Sequence, residues 1–339
     1  MRPSVFRTVG PSARAAVRQH GHRQPLRPAW SGGKRIMARP QASLREDVRM
    51  LGSLVKFRMA SDWTKKVQSI YEMYPPGHLM TEESTYFNQG YWETGNETYD
   101  AAQEALAGLL ADTVGMREGD TVLDCGFGYG DQDFYWLKSR KPRQIFGINI
   151  TPKHVEFASD RARREGVTDR VNFQLASATE IPFPDNTFDR VVSLESAMHY
   201  QPRSQFFKEA YRVLKPGGVI ATADIVPMPG AGPRENLKAH ALGWLKWTVD
   251  DRNWHDRDVY AEKLSQTGFE SVGVTTIQPK VWEPWRAYIT KKVADPAFKP
   301  TVSKLYYRVL QKAWADPELL KRELETVDYI MAAGTKPLT

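Results

Sequence analysis

"VLDCGFGYGDQDFYW", residues 122–136, carries an apolar strand-like run into Asp124 and then sets glycines at 126, 128 and 130. Glycines in that rhythm allow a tight turn in which backbone N–H groups approach a ligand at the start of a helix. Two ligand classes use such a loop. A dinucleotide site has G-x-G-x-x-G directly after the strand, with an acid about 20 residues further on for the ribose hydroxyls. Here the spacing is G-x-G-x-G and the acid precedes the glycines. A carboxylate at that point repels a pyrophosphate but accepts hydrogen bonds from the cationic amine of an amino-acid moiety. The spacing therefore disfavours an NAD-dependent oxidoreductase. Glycine turns between strands and helices are common, so the weight lies on what surrounds this one.

The chain has 339 residues, 41% of them hydrophobic and 26% charged, enough to bury a sizeable core. No apolar stretch approaches the ~20 residues that a membrane-spanning helix needs, and the composition is that of a soluble protein. The formal charge of +7 is concentrated at one end: residues 1–45 hold ten Lys/Arg and no Asp or Glu. The remainder has 37 basic against 40 acidic groups, which does not indicate a nucleic-acid-binding face. The basic, proline-interrupted segment 1–45 reads as a disordered arm, as an upstream start ahead of Met37 or Met50, or as a transit segment. A cytoplasmic location is expected, or a mitochondrial one if the segment is a transit peptide. The single cysteine, Cys125, excludes a disulfide framework.

From residue 120 onward short β-branched segments alternate with helical ones: "TVLDC", "QIFGINI", "VNFQLAS" and "FDRVVSLE" are separated by helix-like stretches such as "HVEFASDRARREG". This predicts an α/β fold with an open, doubly wound, mostly parallel sheet. Then come a helix "RSQFFKEAYRVL", a turn "KPGG", a strand "VIATADIV", and a Trp-rich helical cap interleaved with the last strands, "FESVGVTTI" and "TVDYIMAAGT". The expected organisation is an N-terminal helical and aromatic lid over 46–118, a ligand-binding core over 119–233, and a cap with the last two strands over 234–339. Ligands of such sheets bind beyond the carboxyl ends of the strands, at the switch point.

"VLDCGFGYG", "IFGINITPKHVEFA", "ATEIPFPDNTFDRVVSLESAMHY" and "EAYRVLKPGGVIATADI" together resemble the motifs of class I S-adenosylmethionine-dependent methyltransferases, in their order and spacing. The resemblance is to the small-molecule branch: sugar and polyketide O-methyltransferases of natural-product pathways, tocopherol and sterol C-methyltransferases, and alkaloid N-methyltransferases. It implies a Rossmann-like sheet of seven strands and S-adenosylmethionine held by Asp124, Gly126, Gly128 and Gly130. By the same resemblance Asn149 lies at the ribose, Ser177 and Ala178 at the adenine, and Ile150 and Leu194 are further cofactor-binding positions. Two positions depart from the family pattern. Asn149 stands where an acid usually grips both ribose hydroxyls, and Ser177 where an Asp often accepts from the adenine, which leaves adenine recognition to backbone around Ala178 and Thr179. "STYFNQGYWETGNETYDAAQEAL" resembles the aromatic segment that folds over the cofactor, with Tyr86 or Tyr91 beside the methionine part and Phe87 and Trp92 as core.

In "LESAMHY", Glu195 and His199 are the titratable side chains, and the resemblance places this stretch at the transferable methyl. His199 suits a general base for a hydroxyl acceptor; Glu195 suits removal of a proton after methylation at carbon. In the cap, Trp244 and Trp247 are three apart, as are Trp282 and Trp285, so each pair shares a helix face, either in the core or toward an apolar ligand. The expectation is O-methylation of a bulky, partly apolar small-molecule acceptor in secondary metabolism. C- or N-methylation of a prenyl, aromatic or amine acceptor is the first alternative, and a non-methylating cyclase or binding protein the second. A homodimer is compatible with all three.

Overall fold

The continuous apolar run "TVLDC" forms β1 (Thr121–Cys125), whose five residues are all buried, as expected for a parallel strand covered on both faces. The computed structural model describes residues 44–73 and 80–339; the arm expected over 1–45 lies outside the described residues but for its last two, which begin α1. Side chains alternate across β1, so Val122 enters one core and Leu123 the other. Around it stand β2 (Gln144–Asn149), β3 (Val171–Leu175), β4 (Phe188–Leu194), β5 (Leu214–Pro227), β6 (Glu270–Thr276) and β7 (Val327–Thr335). The seven-stranded order is β3-β2-β1-β4-β5-β7-β6. Strands β1 to β5 pair in parallel, and β7 runs antiparallel between β5 and β6. The chain winds outward from β1 through β2 and β3, then crosses back to β4, so the switch point lies between β1 and β4. The sheet is the doubly wound one that the strand-helix alternation predicts.

The helices are α1 (Leu44–Met59), α2 (Trp63–Tyr71), α3 (Tyr99–Thr113), α4 (Asp131–Ser139), α5 (Pro152–Glu165), α6 (Arg203–Val213), α7 (Gly243–Thr248), α8 (Arg257–Thr267), α9 (Trp282–Ala294), α10 (Lys304–Ala313) and α11 (Pro317–Leu324). Sequence alone places "KPGG" as a turn before a strand; the structure carries β5 straight on from α6 at Leu214. The glycines sit in a bulge: Phe188 pairs with Leu214, and Arg190 next pairs with Val219. Such a bulge absorbs extra residues without ending the ladder. Helices α9 to α11 are inserted between β6 and β7. Among the described residues no helix is long and apolar enough to cross a membrane.

Candidate active site

Strand β1 ends one residue before Gly126, and from there to Gly130 the loop turns through left-handed backbone at each glycine, with φ of 85°, 59° and 86°. At Gly126 the freedom is required: a Cβ there would overlap the Ser196 side chain, where the loops after β1 and β4 cross. At Gly128 a Cβ would come within 3.0 Å of the Phe87 ring. These loops form the floor of a cleft of about 910 Å³, a volume that includes space open to solvent.

The structure brings Gly126, Gly128, Asn149, Ile150, Ser177, Ala178, Leu194, Glu195 and His199 together on this cleft. Asn149 closes the end of β2. Its Oδ1 accepts from the backbone N–H of Thr151 at 3.0 Å, which leaves the amide N–H group as its free function. The Ser177 hydroxyl meets Thr179 Oγ1 at 2.8 Å and accepts from the Thr179 N–H, shaping the backbone around Ala178. Gly130 sits at the N-cap of α4. Asp124 is wholly buried beneath the loop, where Gln132 Nε2 donates to its Oδ2 at 3.0 Å.

Glu195 holds left-handed backbone at φ 48°, an uncommon state for a non-glycine residue that marks a site fixed by its surroundings. Its Oε1 accepts from the Gln89 N–H at 2.5 Å and from the Tyr329 hydroxyl of β7. Burial pushes its carboxyl up to about 8, against the pull of those two donors. His199 Nδ1 lies 2.8 Å from the Thr248 carbonyl, which only accepts, so Nδ1 carries the proton and the Nε2 lone pair accepts from the Tyr71 hydroxyl at 2.7 Å. Burial, helped by the Arg203 charge, pulls this imidazole down to about 4 although the Thr248 bond favours the charged form.

The roof of the cleft is α2, which the motifs did not single out. Its N-cap Asp62 accepts from the Lys65 N–H, and Trp63, Val67 and Tyr71, four apart, point one face into the cleft. Trp63 Nε1 donates to the His199 carbonyl at 2.8 Å and Gln68 Nε2 to the Ile150 carbonyl at 2.6 Å, tying the roof to both ends of the floor. His154, on α5, is also on the cleft wall; it lies among the rings of Tyr71, Phe87 and Tyr129, and burial pulls it down to about 4.

Tyr86 and Tyr91 are not among the residues lining this cleft. Tyr86 is buried near Asp131 and Tyr91 packs half-buried against the core, while Phe87 faces the cleft. In the cap, Trp282 donates Nε1–H to the Val327 carbonyl at 2.9 Å, and its ring meets Trp285 edge-on at 5.8 Å; both are core. Trp244 stands behind His199, ring centroids 6.3 Å apart, and Trp247 is 54% exposed against Phe57.

A family model described as "Methyltransferase domain" matches residues 123–222. The chain is 43% identical over 296 residues to erythromycin 3''-O-methyltransferase of Saccharopolyspora erythraea, across 85% of this chain and 97% of that protein. It belongs to the S-adenosylmethionine-dependent methyltransferases. This methyltransferase is also 39% identical over 158 residues to 27-O-demethylrifamycin SV methyltransferase of Amycolatopsis mediterranei, covering 46% of this chain and 58% of that one. In fold it resembles the [4+2]-cyclase SpnF, with a TM-score of 0.60 at 21% identity over 88% of this chain and 98% of that one. The residues present fit the cofactor: Gly126 and Gly128 line the cleft without side chains of their own, and the amide of Asn149 lies at the end of the neighbouring strand.

Proposed function

We propose that this methyltransferase methylates a hydroxyl oxygen of a bulky, partly apolar natural product in secondary metabolism. The observation that carries the reading is the His199 tautomer: Nδ1–H is fixed on the Thr248 carbonyl, and the Nε2 lone pair is satisfied by the hydroxyl of Tyr71. An acceptor hydroxyl can take the place of the Tyr71 hydroxyl on that lone pair, or pass its proton through it. The names of the two relatives, both O-methyltransferases of natural products or acting on an O-demethylated one, support the same chemistry.

S-adenosylmethionine supplies an electrophilic methyl group. The chain's own part is to hold, align and deprotonate. Gly126 and Gly128 present backbone, Asn149 offers its amide N–H, and the backbone around Ala178 closes the floor. Trp63, Val67 and Phe87 narrow the cleft and exclude water, which favours an in-line displacement in a dry site. His199 is unprotonated at neutrality, so Nε2 takes the hydroxyl proton as the oxygen attacks, and the Thr248 carbonyl stabilises the imidazolium through Nδ1–H. C-methylation would ask Glu195 to act as a carboxylate, but it titrates at about 8 and its Oε1 is already engaged by two donors.

The test is methyl-labelled cofactor with a panel of hydroxylated macrocyclic glycosides and their deoxy counterparts. Label in a methoxy product, absent from the deoxy compound, is the expected result. Label on carbon or nitrogen overturns O-methylation, and turnover without label points to a cyclase-type role.

A further inference from the structure

Beneath the glycine loop, behind the cleft wall, lies a second carboxyl that the chemistry above does not use. Asp133, in the first turn of α4, is as fully buried as Asp124 at the end of β1. The donor serving the pair is Gln132 Nε2, shared between Asp124 Oδ2 at 3.0 Å and the Phe127 carbonyl at 2.9 Å. Among the described residues, Asp124 Oδ1 and both oxygens of Asp133 make no hydrogen bond to a donor of another residue, and only the backbone N–H of Asp133 itself acts on its carboxyl. The two carboxyls instead face each other within hydrogen-bonding reach.

Few charged or titratable groups lie near the pair. From α5, Arg161 exerts a weak attraction on Asp133, but its guanidinium is committed to Asp131 at 2.5 Å and to Glu165 at 2.8 Å. From β1 there is the Cys125 thiol, and from the segment after β4 the Tyr200 hydroxyl, which donates to the Cys125 carbonyl at 2.7 Å. Asp131, on the same helix, is neutralised by Arg161. The one cation of the described residues acting on the pair, Arg161, attracts Asp133 only weakly against the cost of burying two charges. Two ionised carboxylates are acceptors only and cannot hydrogen-bond each other, and desolvation penalises the second charge. One proton between them removes both penalties.

We propose that Asp124 and Asp133 hold one proton between them, and that Asp133 is a positioning residue that sets the charge beneath the glycine loop. The pair then carries a single negative charge that titrates as a unit rather than residue by residue. Burial acts in the same direction on both carboxyls, raising Asp124 to about 7 and Asp133 well above the usual carboxylate range. On the reading that the cofactor's cationic amino-acid end lies on this loop, its arrival favours the ionised pair. The shared proton then leaves to solvent, and the pair passes from one negative charge to two.

Infrared spectroscopy of the cofactor-free protein tests the shared proton. A protonated-carboxyl band is expected that disappears at alkaline pH. It should survive in Glu195→Gln, which removes that residue's own contribution, and vanish in Asp133→Asn. No such band in Glu195→Gln overturns the proposal without any need for the Asp133 variant to fold. Titration calorimetry of S-adenosylmethionine in two buffers of different ionisation heat tests the linkage. The parent should release up to one proton per cofactor bound near pH 7, and Asp133→Asn, whose amide can donate to Asp124 without a titrating proton, should bind and release none. Equal release by parent and variant overturns the role of Asp133. Gly126→Ala separates the two readings, because it removes binding and leaves the infrared band in place.

Discussion

Replacing His199 by alanine removes a ring with two hydrogen bonds, one to the Thr248 carbonyl at 2.8 Å and one from the Tyr71 hydroxyl at 2.7 Å. A positioned general base contributes about 10²–10⁴ in rate, so kcat should fall by that factor, about 3–5 kcal/mol of barrier at 1.36 kcal/mol per tenfold. Each polar group left without a partner costs roughly 1–3 kcal/mol of stability, so a lowered melting temperature accompanies the loss and does not by itself diagnose catalysis. The pH profile does. An unperturbed histidine would give an activity limb near pH 6.5; burial pulls His199 down to about 4, so the unprotonated base is present throughout the neutral range. Activity of the parent should be flat above about pH 5 and fall toward pH 4, and that limb should be missing from the variant. Initial rates with labelled cofactor, measured over pH while calorimetry confirms unchanged cofactor affinity, supply both readings. Normal turnover in His199→Ala, or an acid limb that persists without the imidazole, refutes the base assignment and leaves alignment as the source of catalysis.

Gly126→Ala forces a Cβ onto the Ser196 side chain from backbone at φ 85°; the strain of roughly 1–2 kcal/mol plus the overlap should abolish cofactor binding by calorimetry, and retained affinity would show that the cradle is not used. Asn149→Asp keeps the acceptor for the Thr151 N–H at 3.0 Å and replaces the amide N–H group with a charged acceptor. Because the amide N–H is the group that Asn149 offers the cleft, affinity for the cofactor should fall several-fold; a rise, as charge-assisted bonds about twice as strong as neutral ones would give, would mean that the position works as an acceptor. Stability of the cofactor-free protein should drop on acidification, because His154 and His199 stay neutral to about pH 4 when folded but gain protons near pH 6.5 when unfolded. The unfolded chain then binds more protons, and the loss accumulates as pH falls from 6.5 to 4, on the order of 3 kcal/mol per residue; denaturant midpoints that do not change across this window contradict the burial of these rings. A chain beginning at Met50 lacks the first turns of α1, including Asp47, whose Oδ1 accepts from the Leu305 N–H of the cap at 3.1 Å. It should bind cofactor more weakly than one beginning at Met37, and equal affinities would show that this part of α1 does not support the roof.

Much of the floor of the cleft was legible because each piece of it is local. The run into Asp124, the glycines after it, "FGIN" with Asn149 at its end and "LESAMHY" after the fourth strand are short segments whose order along the chain fixes their places in a parallel sheet. The roof was not legible in that way. Helix α2 is recognisable as a helix from Asp62 and the spacing of Trp63, Val67 and Tyr71, but its buried face meets His199 and Ile150, which lie 136 and 82 residues away, and nothing local announces that contact. Tyr86 and Phe87 show a finer limit. In extended backbone neighbouring side chains point to opposite sides, so an aromatic pair identifies the segment without telling which ring faces the ligand, and here it is Phe87. The tryptophan pairs of the cap fail for a related reason: spacing of three fixes a shared face, and Trp282 and Trp285 turn that face into the core because an indole N–H finds the Val327 carbonyl there.

The two histidines and the glutamate that face the cleft are driven toward their neutral forms. Burial lowers His154 and His199 and raises Glu195, and beneath the loop it raises Asp124 as well. A cleft without fixed charges of its own is a low-dielectric space in which any charge brought in interacts strongly with the few dipoles provided. Those dipoles are placed unequally. The Thr248 carbonyl points at Nδ1 of His199, so positive charge is stabilised at the imidazole, at the far side of the ring from the cleft. The Asn149 amide N–H favours an acceptor group at the opposite end of the floor. A proton taken up at Nε2 from an acceptor hydroxyl thus creates a positive charge that the Thr248 carbonyl favours, while burial and the Arg203 charge oppose it and drive the proton onward. A carbon acceptor would need its proton taken at Glu195, whose carboxyl burial already holds toward its protonated form and whose Oε1 is engaged by two donors.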